Sequence, residues 1–140
     1  MIVSAIKSSL GASFVLIDLA TEANRFFTTV LSYALVCQYE DVIHRPEHRV
    51  KGWTDRDLYA LVQSLLAPSE FAPTNFTYRP LLADAGDELV LEAAINGQAN
   101  YIVTFNVKDF RPAIRFGIKV ITPGRFLHTL KERGFTYGEE

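Results

Sequence analysis

Apolar and polar positions along the chain change period several times, and each change predicts an element. Residues 12–23 place Phe14, Leu16 and Ile17 among polar Asp18 and Glu22, which stand four apart, as a helix requires. Residues 26–31 are aromatic and β-branched and read as a strand, after which Ser32 stands where its hydroxyl would cap a helix. That helix covers 33–43, with Leu35, Val36, Tyr39, Val42 and Ile43 in one core-facing stripe and Pro46 preventing much continuation. Thr54, followed by Asp55 and Asp57, starts a third helix whose Leu58, Leu61, Val62, Leu65 and Leu66 repeat most regularly, and Pro68 closes it. Residues 72–82 carry Pro73 and Pro80 and read as a surface connection, with a short extended piece at 76–78. Residues 87–96 are again helical, with Gly97 as a left-handed cap. Residues 101–104 and 119–121 read as short buried strands. The last helix has Thr122 as cap, Pro123 in its first turn, Phe126, Leu127 and Leu130 inward, Lys131 and Arg133 in its last turn, and Gly134 beyond.

Strands separated by helices of this length imply an α/β fold: a small parallel sheet with right-handed crossovers and helices on its faces. In such sheets the site lies beyond the carboxyl ends of the strands, so polar residues after strands and at the starts of helices are the ones to weigh. No repeat, low-complexity tract or linker interrupts the pattern. A single domain over 1–134 with a tail at 135–140 is expected.

Composition narrows the function. The 140 residues are 49% hydrophobic and 21% charged, as in an ordinary globular domain. A formal net charge of -2 gives no global attraction to a nucleic-acid backbone, so any such binding must be local. The lone cysteine, Cys37, cannot form an internal disulfide and reads as a small core residue of a protein in a reducing compartment. Asp18 and Glu22 interrupt the early apolar run, no later run reaches membrane-spanning length, and no cleavable signal is visible. The expectation is a cytoplasmic protein without a membrane partner.

The densest acidic cluster is Asp84-Ala85-Gly86-Asp87-Glu88, at a helix start where the dipole favours negative charge. At about 100° per residue, Asp87 shares the face of Val90, Leu91 and Ala94, while Glu88 and Glu92 turn towards the opposite, solvated face. An inward carboxylate is costly unless it is capped, paired or metal-bound. Asp87 is therefore read either as a functional acid or as a cap, and Asp84 as a cap. Asn106 and Asp109 follow the strand at 101–104 and could hold a divalent metal through oxygen, or simply form turn hydrogen bonds. Pro46 between His44 and His48 argues against a shared zinc site. Arg45, Arg49, Lys51 and Arg56 around Trp53 could touch RNA but read better as a solvated loop.

From Arg79-Pro80 through the acids ending in Asp87, Ala93-Ala94, Tyr101-Ile102-Val103-Thr104, Asn106, Asp109-Phe110, Gly117-Ile118, Val120 and Thr122-Pro123, the chain resembles the second half of PIN domains of the toxin-antitoxin type. Ser4-Ala5, Ser8-Ser9, Gly11-Ala12-Ser13, Leu31-Ser32, Tyr39-Glu40-Asp41-Val42-Ile43 and Arg45-Pro46 resemble the first half. The resemblance implies a PIN-like fold and a cleft of acids that binds Mg²⁺ or Mn²⁺ and cuts single-stranded RNA. It further implies a cognate antitoxin partner and a homodimer. Carried over by position, Asp87 and Asp109 match family acids and metal ligands, and Asn106 matches a polar neighbour. Asp84, Gln38 and Glu40 would support them.

Two departures temper the expected activity. The family's first acid lies on an opening strand just before a segment like Val3-Ser4-Ala5, and this chain starts at Met1 without it. Family sheets place that strand centrally, so either the true start lies upstream or the domain folds through a partner or by shifted pairing. Gln38 holds the place of the second acid, before Tyr39-Glu40, keeping an oxygen ligand but losing the charge. Glu40 lies about 100° from Tyr39 on the other side of the stripe from Gln38. Two functions thus compete: a metal-dependent endoribonuclease toxin, whole or impaired, and a non-catalytic PIN-like binding module.

Overall fold

In the computed structural model, residues 11–48, 52–73, 82 and 84–136 are described. The elements run α1 (Ala12–Ala20), β1 (Val30–Leu31), α2 (Tyr33–Ile43), a 3₁₀ turn (Pro46–His48), α3 (Asp55–Leu66), β2 (Glu70–Phe71), α4 (Ala85–Asn96), β3 (Tyr101–Val103), a long 3₁₀ segment (Val107–Phe116), β4 (Lys119–Ile121) and α5 (Pro123–Glu132). This is the expected α/β architecture with a reduced sheet. Among the described residues the strands form two parallel ladders, β1 with β2 and β3 with β4. Val30 pairs with Glu70 and Leu31 with Phe71, while Tyr101, Ile102 and Val103 pair with Lys119, Val120 and Ile121. Helix α4 packs against both β1 and β3, and so ties the two ladders together.

The core follows the predicted stripes. Ala20, Ile43, Leu58, Val62 and Leu65 join α1, α2 and α3, with Tyr39 and Trp53 packed against them. Burial there pushes the Tyr39 phenol up to about 12, because ionisation would leave a charge without water. Leu91, Ala94, Ile102, Phe110, Ala113 and Ile118 join α4, β3 and the 3₁₀ segment, and Leu31, Leu35 and Ala93 join β1, α2 and α4. Val15, Leu16, Phe126, Leu130 and Phe135 hold α5 on α1. Three predicted caps form: Ser32 accepts from Leu35 N–H at 3.1 Å, Thr54 from Asp57 N–H at 3.1 Å and Thr122 from Arg125 N–H at 3.3 Å. Asp57 returns a bond to the Thr54 amide at 2.9 Å, completing a capping box.

Several expectations are corrected. Helix α1 stops at Ala20, because the Thr21 hydroxyl donates to the Asp18 carbonyl at 2.7 Å and ends the turn. The Asn24 side chain then accepts the amides of Phe26 and Phe27 at 2.9 and 3.0 Å, which holds a turn where a strand was expected and delays β1 to Val30. Strand β2 was not foreseen, since both of its residues are exposed and two positions carry no period. The 3₁₀ segment was not foreseen; Pro112 and the non-helical backbone of Phe110 keep it from becoming an α-helix. Gly97 is not left-handed, with φ −88°. Glycine is needed there because a Cβ would fall 2.5 Å from Val30 Cγ1 and 2.9 Å from the Ala93 carbonyl oxygen. Cys37 is exposed rather than in the core. It lies about 200° around α2 from buried Leu35. The extended piece expected at 76–78 lies outside the described residues. No described helix is long and apolar enough to cross a membrane.

Candidate functional site

The amino end of α4 organises the site. Asp84 precedes the helix with extended backbone, and its Oδ1 accepts the Asp87 N–H at 3.0 Å. Asp84 is thus the cap, and Asp87 stands in the first turn with its carboxylate half-buried. Its carboxyl titrates above the ordinary 3.8, first because partial burial strips water from the charge, then because Asp84 and Asp109 repel it. The 3₁₀ segment that carries Asp109 packs on α4 through Phe110 and Ala113, so this residue, far away in sequence, belongs to the surroundings of Asp87.

Asp109 arrives from the other ladder. After β3 the Asn106 amide donates to the Thr104 hydroxyl at 3.1 Å, and the Asp109 amide donates to the Asn106 carbonyl at 3.0 Å. These bonds turn the chain into the 3₁₀ segment at the carboxyl end of β3, with Asn106 and Asp109 both exposed. The Asn106 side chain makes no capping bond there.

Helix α2 supplies Gln38. A Cβ on Gly86 would lie 2.2 Å from Gln38 Nε2, so the glutamine amide rests directly on the first turn of α4. Gly86 thus belongs to the site, although the sequence reading passed over it; a lone glycine inside an acidic run was the available signal. Glu40 is held in a different network. Its Oε2 lies 3.2 Å from His44 Nε2, and His44 Nδ1 lies 3.3 Å from Asp55 Oδ1. The remaining Glu40 oxygen is buried without a hydrogen-bond partner.

Glu88 corrects the expected solvated face of α4. It is 5% exposed, and its carboxylate accepts the Leu82 amide. Because α4 packs on two ladders, with Leu91, Ala93 and Ala94 all buried, its position 88 has no open side. Glu88 therefore ties the preceding connection to the helix. Elsewhere, Arg45 pairs with Asp41 at 2.8 Å and Trp53 packs on the core.

The assembled groups are two carboxylates, Asp87 and Asp109, with a capping carboxylate and a primary amide beside them. All are oxygen donors suited to a hard divalent cation. Among the described residues, no group of three or more His, Cys, Asp or Glu side chains is gathered tightly enough to hold a metal. A cation here would rest on two carboxylates, the Gln38 oxygen and water.

A sequence model of the PIN domain matches residues 1–108. The chain belongs to the PIN domain family. The match contains Gln38, Asp84, Asp87 and Asn106, and it ends one residue before Asp109. No curated protein and no solved structure matches the chain. PIN domains are in general divalent-metal-dependent nucleases, so membership points to a nuclease-type function in general terms.

Proposed function

We propose that this PIN domain is a Mg²⁺- or Mn²⁺-dependent endoribonuclease that cleaves single-stranded RNA as the toxin of a toxin-antitoxin pair, with an antitoxin partner and a homodimeric state. The observation that carries the reading is the packing of α4 on the 3₁₀ segment, through Leu91, Ala94, Phe110 and Ala113, which brings the helix that carries Asp87 in its first turn against the segment that carries Asp109, where their charges oppose one another. Two acids from distant parts of the chain gain nothing from such proximity unless a cation joins them. When bound, a divalent cation would neutralise charge on the scissile phosphate and lower the pKa of a water molecule.

The chain's own residues have distinct tasks in this reading. Asp87 and Asp109 hold the cation, and Asp84 fixes the Asp87 backbone. Gln38 adds a neutral oxygen across Gly86, and Asn106 faces the phosphate as a hydrogen-bond donor. Isothermal titration with Mn²⁺ and cleavage of a labelled single-stranded RNA test this directly. Wild type should bind and cut, and Asp87→Asn should be slower by roughly a hundredfold, the scale of losing one group that stabilises transition-state charge. Induced expression should arrest bacterial growth, and the substitution should relieve it. If wild type binds no Mn²⁺ and the variant behaves identically, catalysis is excluded.

A second reading, a non-catalytic PIN-like binding module, is favoured by one observation. Gln38 stands where the family resemblance calls for an acid, and the described residues contain no three-ligand group.

A further inference from the structure

The chain is acidic as a whole, with a net charge of -2, yet the stretch between Phe105 and Arg125 carries five basic residues and one acid, Asp109. Lys108, Arg111, Arg115, Lys119 and Arg125 are all exposed, and none is engaged in an ion pair among the described residues. Cations that fold into no salt bridge and lie on one contiguous stretch form a local field, which the net charge conceals. The field begins beside the acids. Lys108 adjoins Asp109, Arg111 and Arg115 lie on the same 3₁₀ segment, and Lys119 and Arg125 line an open groove of about 490 Å³ along β4.

The two most exposed large apolar side chains of this stretch lie outside any core. Phe105, the second residue after β3, is 56% exposed, and Ile114, in the wall of the groove, is 70% exposed. The backbone on either side of Phe105 is bridged, because the Asn106 amide donates to the Thr104 hydroxyl. An exposed ring on a stretch rich in cations, four residues before Asp109, suits the open face of a nucleobase. A duplex buries its base faces within its own stack, so the ligand that fits is single-stranded. A second copy of this chain would bring like charges together on the same face, which argues against self-association there.

We propose that the surface from Phe105 to Arg125 is the track for single-stranded RNA, with Phe105 stacking a base next to the Asp87–Asp109 site and the cations following the phosphates into the groove along β4. The track deepens the nuclease reading and rests on it for the position of the scissile phosphate.

The test uses the full chain and a labelled twelve-nucleotide single-stranded RNA containing 2-aminopurine, with anisotropy measured over a range of salt. Phe105→Ala should weaken binding about tenfold, within the range of losing one base-aromatic stack, and abolish 2-aminopurine quenching, while Phe105→Trp should restore both. The triple change Lys108→Gln, Arg111→Gln and Arg115→Gln should flatten the log-log salt dependence by about 0.7 for each phosphate contact removed. Arg45→Gln, on the far network with Asp41, should change neither, and circular dichroism should show every variant folded. Equal affinity for duplex RNA or for an acidic peptide, unchanged binding in the Phe105 and triple variants, or no RNA binding by wild type would overturn the track. Binding that follows the predicted pattern without Mn²⁺-dependent cleavage would uphold the track and overturn the nuclease reading alone.

Discussion

Asp87 stands in an environment that opposes its own charge. Its carboxyl titrates above 3.8 in the folded chain, so between 3.8 and that raised value the unfolded chain has released a proton that the folded chain keeps. Stability from this group is therefore present in acid and falls as pH rises through the folded value. Thermal unfolding from pH 3 to 8 should show Asp87→Asn more stable than wild type at neutral pH, with the gain disappearing below about pH 3.8. Mn²⁺ should reverse the order at neutral pH by raising the wild-type Tm, and should raise that of the variant much less. Gly97→Ala makes a different point at the same scale. Its new methyl would sit 2.5 Å from Val30 Cγ1 and 2.9 Å from a backbone oxygen that cannot swing aside. The expected loss is about 1–3 kcal/mol by urea unfolding, the usual cost of overpacking.

At the scale of elements, the helices depend on their caps more than on length. Helix α2 has eleven residues and begins with Ser32 accepting the Leu35 amide at 3.1 Å. Ser32→Ala should cost about 1 kcal/mol, measured by chemical unfolding, because the first-turn amide loses its acceptor. The same helix carries Gln38 onto Gly86, so fraying should also loosen the site. Amide exchange in the first turn of α4 should accelerate in the Ser32 variant. If only α2 responds, the two helices are not coupled through Gln38.

For the whole molecule, the seam between α1 and α5 is the test of cohesion. Leu130 is fully enclosed among Val15, Leu16, Phe126 and Phe135. Leu130→Ala should destabilise the chain by about 2–5 kcal/mol, since close packing limits how far the cavity can collapse. Helix α4 is the other element that unites the molecule, because it packs on a strand of each ladder.

The sequence by itself determined the helices with long periodic stripes and their caps, since period and capping are local and each involves neighbours within four residues. Helices α2 and α5, the regular α3, and strand β4 lie where the pattern put them. It also pointed to Asp109 by its place after a strand, to Asp87 by its place on the inward face at a helix start, and to Gln38 by resemblance alone. Only tertiary structure decided the rest. The two-residue strands exist because a partner strand lies alongside, and no residue pattern that short can announce it. Glu88 is buried because α4 is covered by two ladders, and Gly86 lies under a side chain from another helix, Gln38, which would have to move to admit a Cβ. Periodicity describes one element against an average environment, whereas burial and contact depend on which elements the fold brings together.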